Sequence, residues 1–294
     1  MQVIVTESRR GQVVLDFVRL TKPRIVALLV WTALVSMTLA ARGWPPAGAT
    51  MGGLIGLALS VGGAHSINMA FDRDIDATMR RTCRRPVPMG RITVGQAYAW
   101  GLFLEGLSLG VLLTWTNPLT AALSLTGFLY YAVLYTMVLK RRTSQNIVIG
   151  GAAGAFPPLI GWAAVTGHLS WLALGLFGVV FLWTPPHFWA LALARQDEYR
   201  EAAVPMLPVT HGWRTTIRQM VFYTLLLWPL GWVIEAASSF GRPLSLLLVV
   251  LNGGFTASVF GLGLRRVRAM TVFRISLVYL AMLFGGLLWL ALRP

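Results

Sequence analysis

Nine apolar runs, each long enough to cross a bilayer, lie at about residues 25–41, 49–71, 94–114, 119–139, 147–166, 171–194, 216–237, 243–264 and 272–291. A membrane-crossing helix needs about 20 such residues. Lipid offers the backbone no hydrogen-bond partners, so runs of this length cross as helices that satisfy their own peptide groups. They take up most of the 294 residues, and charged residues make up only 12%, about half the share in a soluble domain. A disordered chain and a nucleic-acid-binding tail are excluded. A disulfide scaffold is excluded as well, because Cys83 is the single cysteine. The sequence predicts an all-α, polytopic membrane protein with nine transmembrane helices around a central cavity. It reads as a single domain over 1–294, with 1–23 a cytoplasmic tail.

The net charge of +15 is spread between the apolar runs, not gathered in a block. Basic residues group as Arg9, Arg10, Arg19, Lys22 and Arg24; Arg73, Arg80, Arg81, Arg84, Arg85 and Arg91; Lys140, Arg141 and Arg142; Arg195, Arg200, Arg214 and Arg218; and Arg265, Arg266, Arg268 and Arg274. With nine crossings all five groups fall on one face, leaving only Arg42, Arg242 and Arg293 on the other. Basic loops stay on the cytoplasmic side, which puts the N-terminus inside and the C-terminus outside. The first run, with Pro23 before it, reads as a retained helix and not a cleaved signal peptide, and the tail lacks the composition of a mitochondrial transit peptide. A bacterial cytoplasmic membrane is expected. Pro157-Pro158 and Pro185-Pro186 predict kinked helices around the cavity.

Six of the ten acidic residues fall in two places on the basic face: Asp72, Asp74 and Asp76, then Asp197, Glu198 and Glu201. If the second helix continues through the first cluster, Asn68, Asp72 and Asp76 stand one above another at i, i+4 and i+8, and Asp74 turns away. An amide and two carboxylates suit Mg²⁺, which takes oxygen ligands and shares them with substrate phosphates. Arg81, Arg84, Arg85, Arg91, Lys140 and Arg141 share that face and suit phosphate. The alternatives are a solvated helix end paired with Arg73, Arg80 and Arg81, and contact with anionic lipid. An internal echo links the clusters: Val87-Pro88-Met89 precedes Thr93 and Gly95 at the spacing by which Val204-Pro205-Met206 precedes Thr210 and Gly212. Two structural repeats facing one cavity are expected.

With these residues in view, the chain resembles the membrane-embedded aromatic prenyltransferases, whose Asn-x-x-x-Asp-x-x-x-Asp signature follows the second helix. Within them it is most similar to the heme-farnesylating branch. Further matches are Arg81-Thr82, Arg85-Pro86, Gly90-Arg91, Tyr135-Thr136, Leu139 to Thr143, Asn146 to Gly151, Pro157 to Trp162 and Val204 to Pro208. Trp183-Thr184-Pro185-Pro186-His187-Phe188-Trp189 is the sign specific to that branch.

The resemblance implies a Mg²⁺-dependent enzyme of the cytoplasmic membrane that transfers the farnesyl group of farnesyl diphosphate to a vinyl group of heme b, giving heme O. Asn68, Asp72 and Asp76 would hold metal and diphosphate, with Lys140, Arg141, Arg81 and Arg85 neutralising the charge. Asp197, His187 and His65 are candidate substrate contacts, the histidines toward heme. Other branches carry a second Asp-rich motif; here His187 stands near an expected aspartate and Asp197 alone keeps an acid. Glu105 is expected to face the bundle interior. Partners are membrane lipids and a downstream heme A synthase, with no nucleic acid. Two alternatives are a prenyltransferase for a quinone precursor or chlorin, which would keep the second motif, and an anionic-solute transporter, which would need more intramembrane charges than Glu105.

Overall fold

A computed structural model describes residues 2–293. The helices, in chain order, are α1 (Gln2–Leu20), α2 (Pro23–Ala41), α3 (Ala47–Phe71), α4 (Arg73–Thr78), α5 (Val94–Trp115), α6 (Pro118–Leu129), α7 (Asn146–Gly150), α8 (Phe156–Thr166), α9 (Trp171–Ala194), α10 (Gln196–Glu201), α11 (Leu207–Thr210), α12 (Gly212–Ala236), α13 (Arg242–Gly263) and α14 (Ala269–Leu292). A π-helix, Tyr130–Leu139, continues α6, and a 3₁₀ turn, Gly151–Ala155, joins α7 to α8. Among the described residues, nine helical segments are long and apolar enough to cross a membrane, beginning and ending within a few residues of the apolar runs. The chain is a multi-pass membrane protein.

Local chemistry sets several boundaries. Thr93 and Gln96 close a capping box on α5, and the side chains of Asn117 and Ser170 cap α6 and α9, which satisfies backbone donors that a helix start leaves open. One expectation is corrected. The second membrane helix does not run on through the acidic cluster: α3 ends at Phe71, and Asp72, at φ −88° and ψ 14°, turns the chain into α4. Helix α9 runs on through Pro185 and Pro186, both buried among neighbouring helices. Irregular backbone lies in the π-helix and the 3₁₀ turn.

The bundle has a polar-spotted interior and an apolar exterior, as lipid demands. Leu102, Phe103, Leu113, Trp232, Leu246 and Val250 are exposed. The largest core cluster packs Trp189, Phe255 and Phe284 between α9, α12, α13 and α14. On the other side, the α3–α5 seam closes without a hydrophobic driving force, through small residues and interhelical hydrogen bonds. Ser66 Oγ donates to the Ala97 carbonyl and Ser108 Oγ to the Gly56 carbonyl, both at 2.7 Å. Gly63 and Gly101 face each other so closely that a Cβ on either would come within 2.6 or 2.8 Å of the other's carbonyl oxygen.

Gly63→Ala or Gly101→Ala therefore pushes backbone against backbone and is expected to cost about 1–3 kcal/mol, read as a lower unfolding temperature in detergent. Gly106→Ala, on α5 with open space around it, is the control and leaves the temperature unchanged or slightly raised.

Candidate functional site

A cavity of about 460 Å³ opens between α2, α3, the π-helix, α8, α9 and α14, within the range of small-molecule sites. Its basic end is lined by Lys22, Asn68, Asp76, Arg81, Arg85 and Lys140, and its apolar depth by Leu28, Leu57, Phe128, Phe156 and Ile160. An amphiphile with an anionic head and a hydrocarbon tail has this shape of chemistry.

Asp72 and Asp76 are both almost completely buried. A buried carboxylate is tolerated only when paired and hydrogen-bonded. Arg85 supplies one guanidinium nitrogen to both oxygens of Asp76, at 2.9 and 2.7 Å. Lys140 pairs with Asp72 Oδ2, which also accepts from Asn68 Nδ2 at 2.7 Å. Asn68 is held in turn: its Oδ1 accepts from Lys22 Nζ at 2.9 Å and its Nδ2 reaches Thr136 Oγ1 at 3.1 Å. Asp72 Oδ1 is buried without a hydrogen bond, and Arg141 Nη2 lies 3.7 Å from it. Arg81 lines the same end with no ion-pair partner among the described residues. Cations outnumber carboxylates here, so the mouth is poised for an anion.

Lys22 is the residue whose role the sequence hides among tail charges. It takes a left-handed conformation, φ 51°, directly before Pro23, which is disfavoured both for a side-chain-bearing residue and for one preceding proline. The turn carries its ammonium into the mouth. Burial first, and the charge of Arg85 second, push its pKa well below the ordinary lysine value. The Lys-Pro pair at the start of the first span was the available signal.

The π-helix solves a facing problem. In an α-helix, with about 3.6 residues per turn, Tyr131 and Lys140 would fall on opposite sides. The wider coil, closed by bonds such as Lys140 N to Tyr135 O at 2.9 Å, turns Tyr131, Tyr135 and Lys140 toward one cavity. Tyr131 stacks on Tyr135, and its ring meets His65 edge-on at 5.1 Å. His65 lines the cavity, and neither ring nitrogen has a partner. Composition alone gives no sign of a π-helix, so Tyr131 is missed in the sequence and Tyr135 stands there only as part of a matching stretch.

The remaining candidates separate clearly. His187 lines the cavity. Arg141 does not: it clasps exposed Asp74 through two nitrogens at 2.7 Å each and lies over the Phe71 ring. Asp197 points to solvent and pairs with Arg200. Glu198 pairs with Arg195, and it is Tyr199 of α10 that faces the cavity with Val204 and Met206. Two residues along a helix lie on nearly opposite sides, which is why Tyr199 faces in and Asp197 out. The two echoed segments are likewise unequal, Met206 being buried and Met89 exposed. Glu105 is buried away from the cavity, with both oxygens unpartnered.

A fold of membrane helices with buried, ion-paired carboxylates and surplus cations at the mouth of an apolar cavity is suited to an anionic amphiphile. The chain belongs to the UbiA prenyltransferase family, whose model matches residues 29–278. It is 52% identical over 278 residues to the protoheme IX farnesyltransferase of Symbiobacterium thermophilum, covering 93% of each chain. It shares the fold of a digeranylgeranylglyceryl phosphate synthase (TM-score 0.81, 16% identity, 96% and 100% covered). It also shares the fold of a UbiA homologue from Archaeoglobus fulgidus bound to DMAPP and Mg²⁺ (TM-score 0.67, 15% identity, 92% and 99% covered). The protein is a prenyltransferase.

The clasp on Asp74 fixes the sign of one pH effect. Hydrogen bonds from Arg141 lower the Asp74 pKa from 3.8 to about 2. A carboxyl depressed on folding stabilises fully above its unfolded pKa and stops doing so as pH falls through the folded one. The stability difference between the native chain and Asp74→Asn is expected to be constant above about pH 5 and to vanish as pH falls from 3.8 through about 2. Parallel acid-unfolding curves in detergent read it.

Proposed function

We propose that this chain is a Mg²⁺-dependent protoheme IX farnesyltransferase: it moves the farnesyl group of farnesyl diphosphate to a vinyl group of heme b and yields heme O. The observation that carries this reading is buried Asp76 on the wall of an apolar cavity, among surplus cations, with buried Asp72 bonded to the wall residues Asn68 and Lys140. It is supported by the name borne by the 52% identical relative.

Asn68, Asp72 and Asp76 suit Mg²⁺ on this structure's own terms. They offer hard oxygen donors, and Asp72 Oδ1 is buried without a hydrogen bond. Mg²⁺ held by these residues would complete its shell with water and substrate phosphate. When bound, Mg²⁺ neutralises diphosphate charge and makes it a better leaving group. Lys22, Arg81, Arg85 and Lys140 bind the diphosphate oxygens and stabilise the charge as the allylic C–O bond breaks and its electron pair leaves with diphosphate. The apolar walls keep water from the farnesyl cation, and Tyr131 and Tyr135 offer π faces to it. The vinyl π electrons form the new C–C bond at the vinyl terminus. Water adds to the resulting cation beside the pyrrole and loses a proton, leaving the hydroxyethylfarnesyl group. The charged mouth and the basic loops lie on the cytoplasmic side of a bacterial inner membrane, with the N-terminus inside and the C-terminus outside. The product passes to a heme A synthase in that membrane.

The purified chain with heme b, farnesyl diphosphate and Mg²⁺ is expected to form farnesylated, hydrated heme by mass spectrometry. Asp72→Asn and Asp76→Asn each lower kcat/KM at least about 100-fold, roughly 3 kcal/mol of transition-state stabilisation. Lys22→Met acts mainly by raising KM for farnesyl diphosphate. Unmodified heme beside a prenylated quinone-type acceptor would overturn the acceptor, and product formation without Mg²⁺ would overturn the metal.

A further inference from the structure

His187 is held on the cavity wall by stacking and by one hydrogen bond, and these constraints determine which ring nitrogen is free. The ring is stacked between Trp183, at 4.1 Å and 19°, and Phe273, at 4.5 Å and 24°. Its Nδ1 lies 2.6 Å from Ser276 Oγ. The Ser276 hydroxyl has a single proton, and it donates that proton to the Phe273 carbonyl at 2.7 Å. Toward His187, Ser276 Oγ is therefore the acceptor, Nδ1 carries the ring proton, and Nε2 of the neutral imidazole keeps its lone pair. Nε2 has no protein partner among the described residues, and the ring lines the cavity. Ser276 is fully buried, and its carbonyl also receives Trp183 Nε1 at 2.8 Å, so one residue of α14 orients both the imidazole and one of its flanking rings.

An imidazole held by an Nδ1–H hydrogen bond, with Nε2 directed into an apolar cavity, is the arrangement by which proteins present histidine to a metal. We propose that His187 Nε2 is the axial ligand that docks the iron of the heme acceptor, and that Ser276 is a positioning residue acting through His187. The proposal rests on heme b being the acceptor. Ligation is reversible and leaves the porphyrin's vinyl groups free to react. It also gives a purpose to the last helix, whose sequence carries no motif: α14 supplies Phe273 and Ser276.

The test loads the full chain in detergent with heme b, without farnesyl diphosphate, and records the absorption spectrum and the ferrous iron–histidine stretching band. The wild type is expected to show histidine ligation. His187→Gly loses the band and regains it with added imidazole, whereas His65→Ala, at the other histidine of the cavity, keeps it. Ser276→Ala keeps the band but shifts it to lower frequency, since Nδ1–H loses its acceptor, and binds ferric heme about tenfold more weakly. An unchanged band in His187→Gly, or a band lost in His65→Ala instead, overturns the ligand; an unmoved band in Ser276→Ala overturns the positioning role. Should His187→Gly aggregate, the Ser276→Ala band decides alone. A wild type that farnesylates heme yet shows no iron–histidine band refutes the ligand and spares the acceptor. One that neither binds nor farnesylates heme, but prenylates another acceptor, refutes the acceptor itself.

Discussion

Two buried carboxylates, Asp76 on the wall of an apolar cavity and Asp72 bonded to the wall residues Asn68 and Lys140, are the constraint around which this bundle is arranged. Asp72 and Asp76 lose nearly all their hydration, and a low-dielectric site makes that loss severe unless charge is returned. Lys140 and Arg85 return it. They come from different places in the chain, one from the end of the π-helix and one from the loop after α4. Lys22, brought in by a strained turn before Pro23, fastens Asn68 beside them. The same cations that hold the carboxylates in place are the ones a diphosphate would draw away. On this account, substrate and metal binding is an exchange of partners within one charged cluster.

The rest of the fold keeps that cluster at the edge of lipid. The α3–α5 seam lets backbones approach through Gly63 and Gly101, so α3 carries Asn68 on a firmly packed helix. The π-helix turns two tyrosines and a lysine to one side where an α-helix would divide them. On the far wall, α9 and α14 fix the His187 ring by stacking and by Ser276. Charge is concentrated at one end of the cavity and an oriented imidazole stands on its wall, which suits two substrates that differ in their polar groups and share long apolar surfaces.

Much of this was legible in the sequence, and for identifiable reasons. Apolar runs fix membrane helices because lipid leaves the backbone no alternative, and the spacing of Asn68, Asp72 and Asp76 survives the break at Asp72 because Asp72 N and Asp76 N still bond four residues back, at 3.0 and 2.8 Å. What escaped notice depends on tertiary geometry. Lys22 looks like one tail charge among several until its left-handed turn is seen. Tyr131 and Tyr135 share a face with Lys140 only in a π-helix. Asp197 is a plausible ligand by composition and a solvent-facing residue by the phase of α10. Ser276 carries no motif and acquires a role only because α14 packs against α9.

In the proposed reaction Asp72 and Asp76 share a divalent ion with the diphosphate. Mn²⁺ in place of Mg²⁺ makes this directly observable, by electron paramagnetic resonance of the full chain with a non-ionising farnesyl diphosphate analogue. A bound Mn²⁺ signal carrying phosphorus hyperfine coupling is expected, dependent on the analogue and abolished in Asp72→Asn. A bound Mn²⁺ without phosphorus coupling, or one indifferent to Asp72, would contradict it.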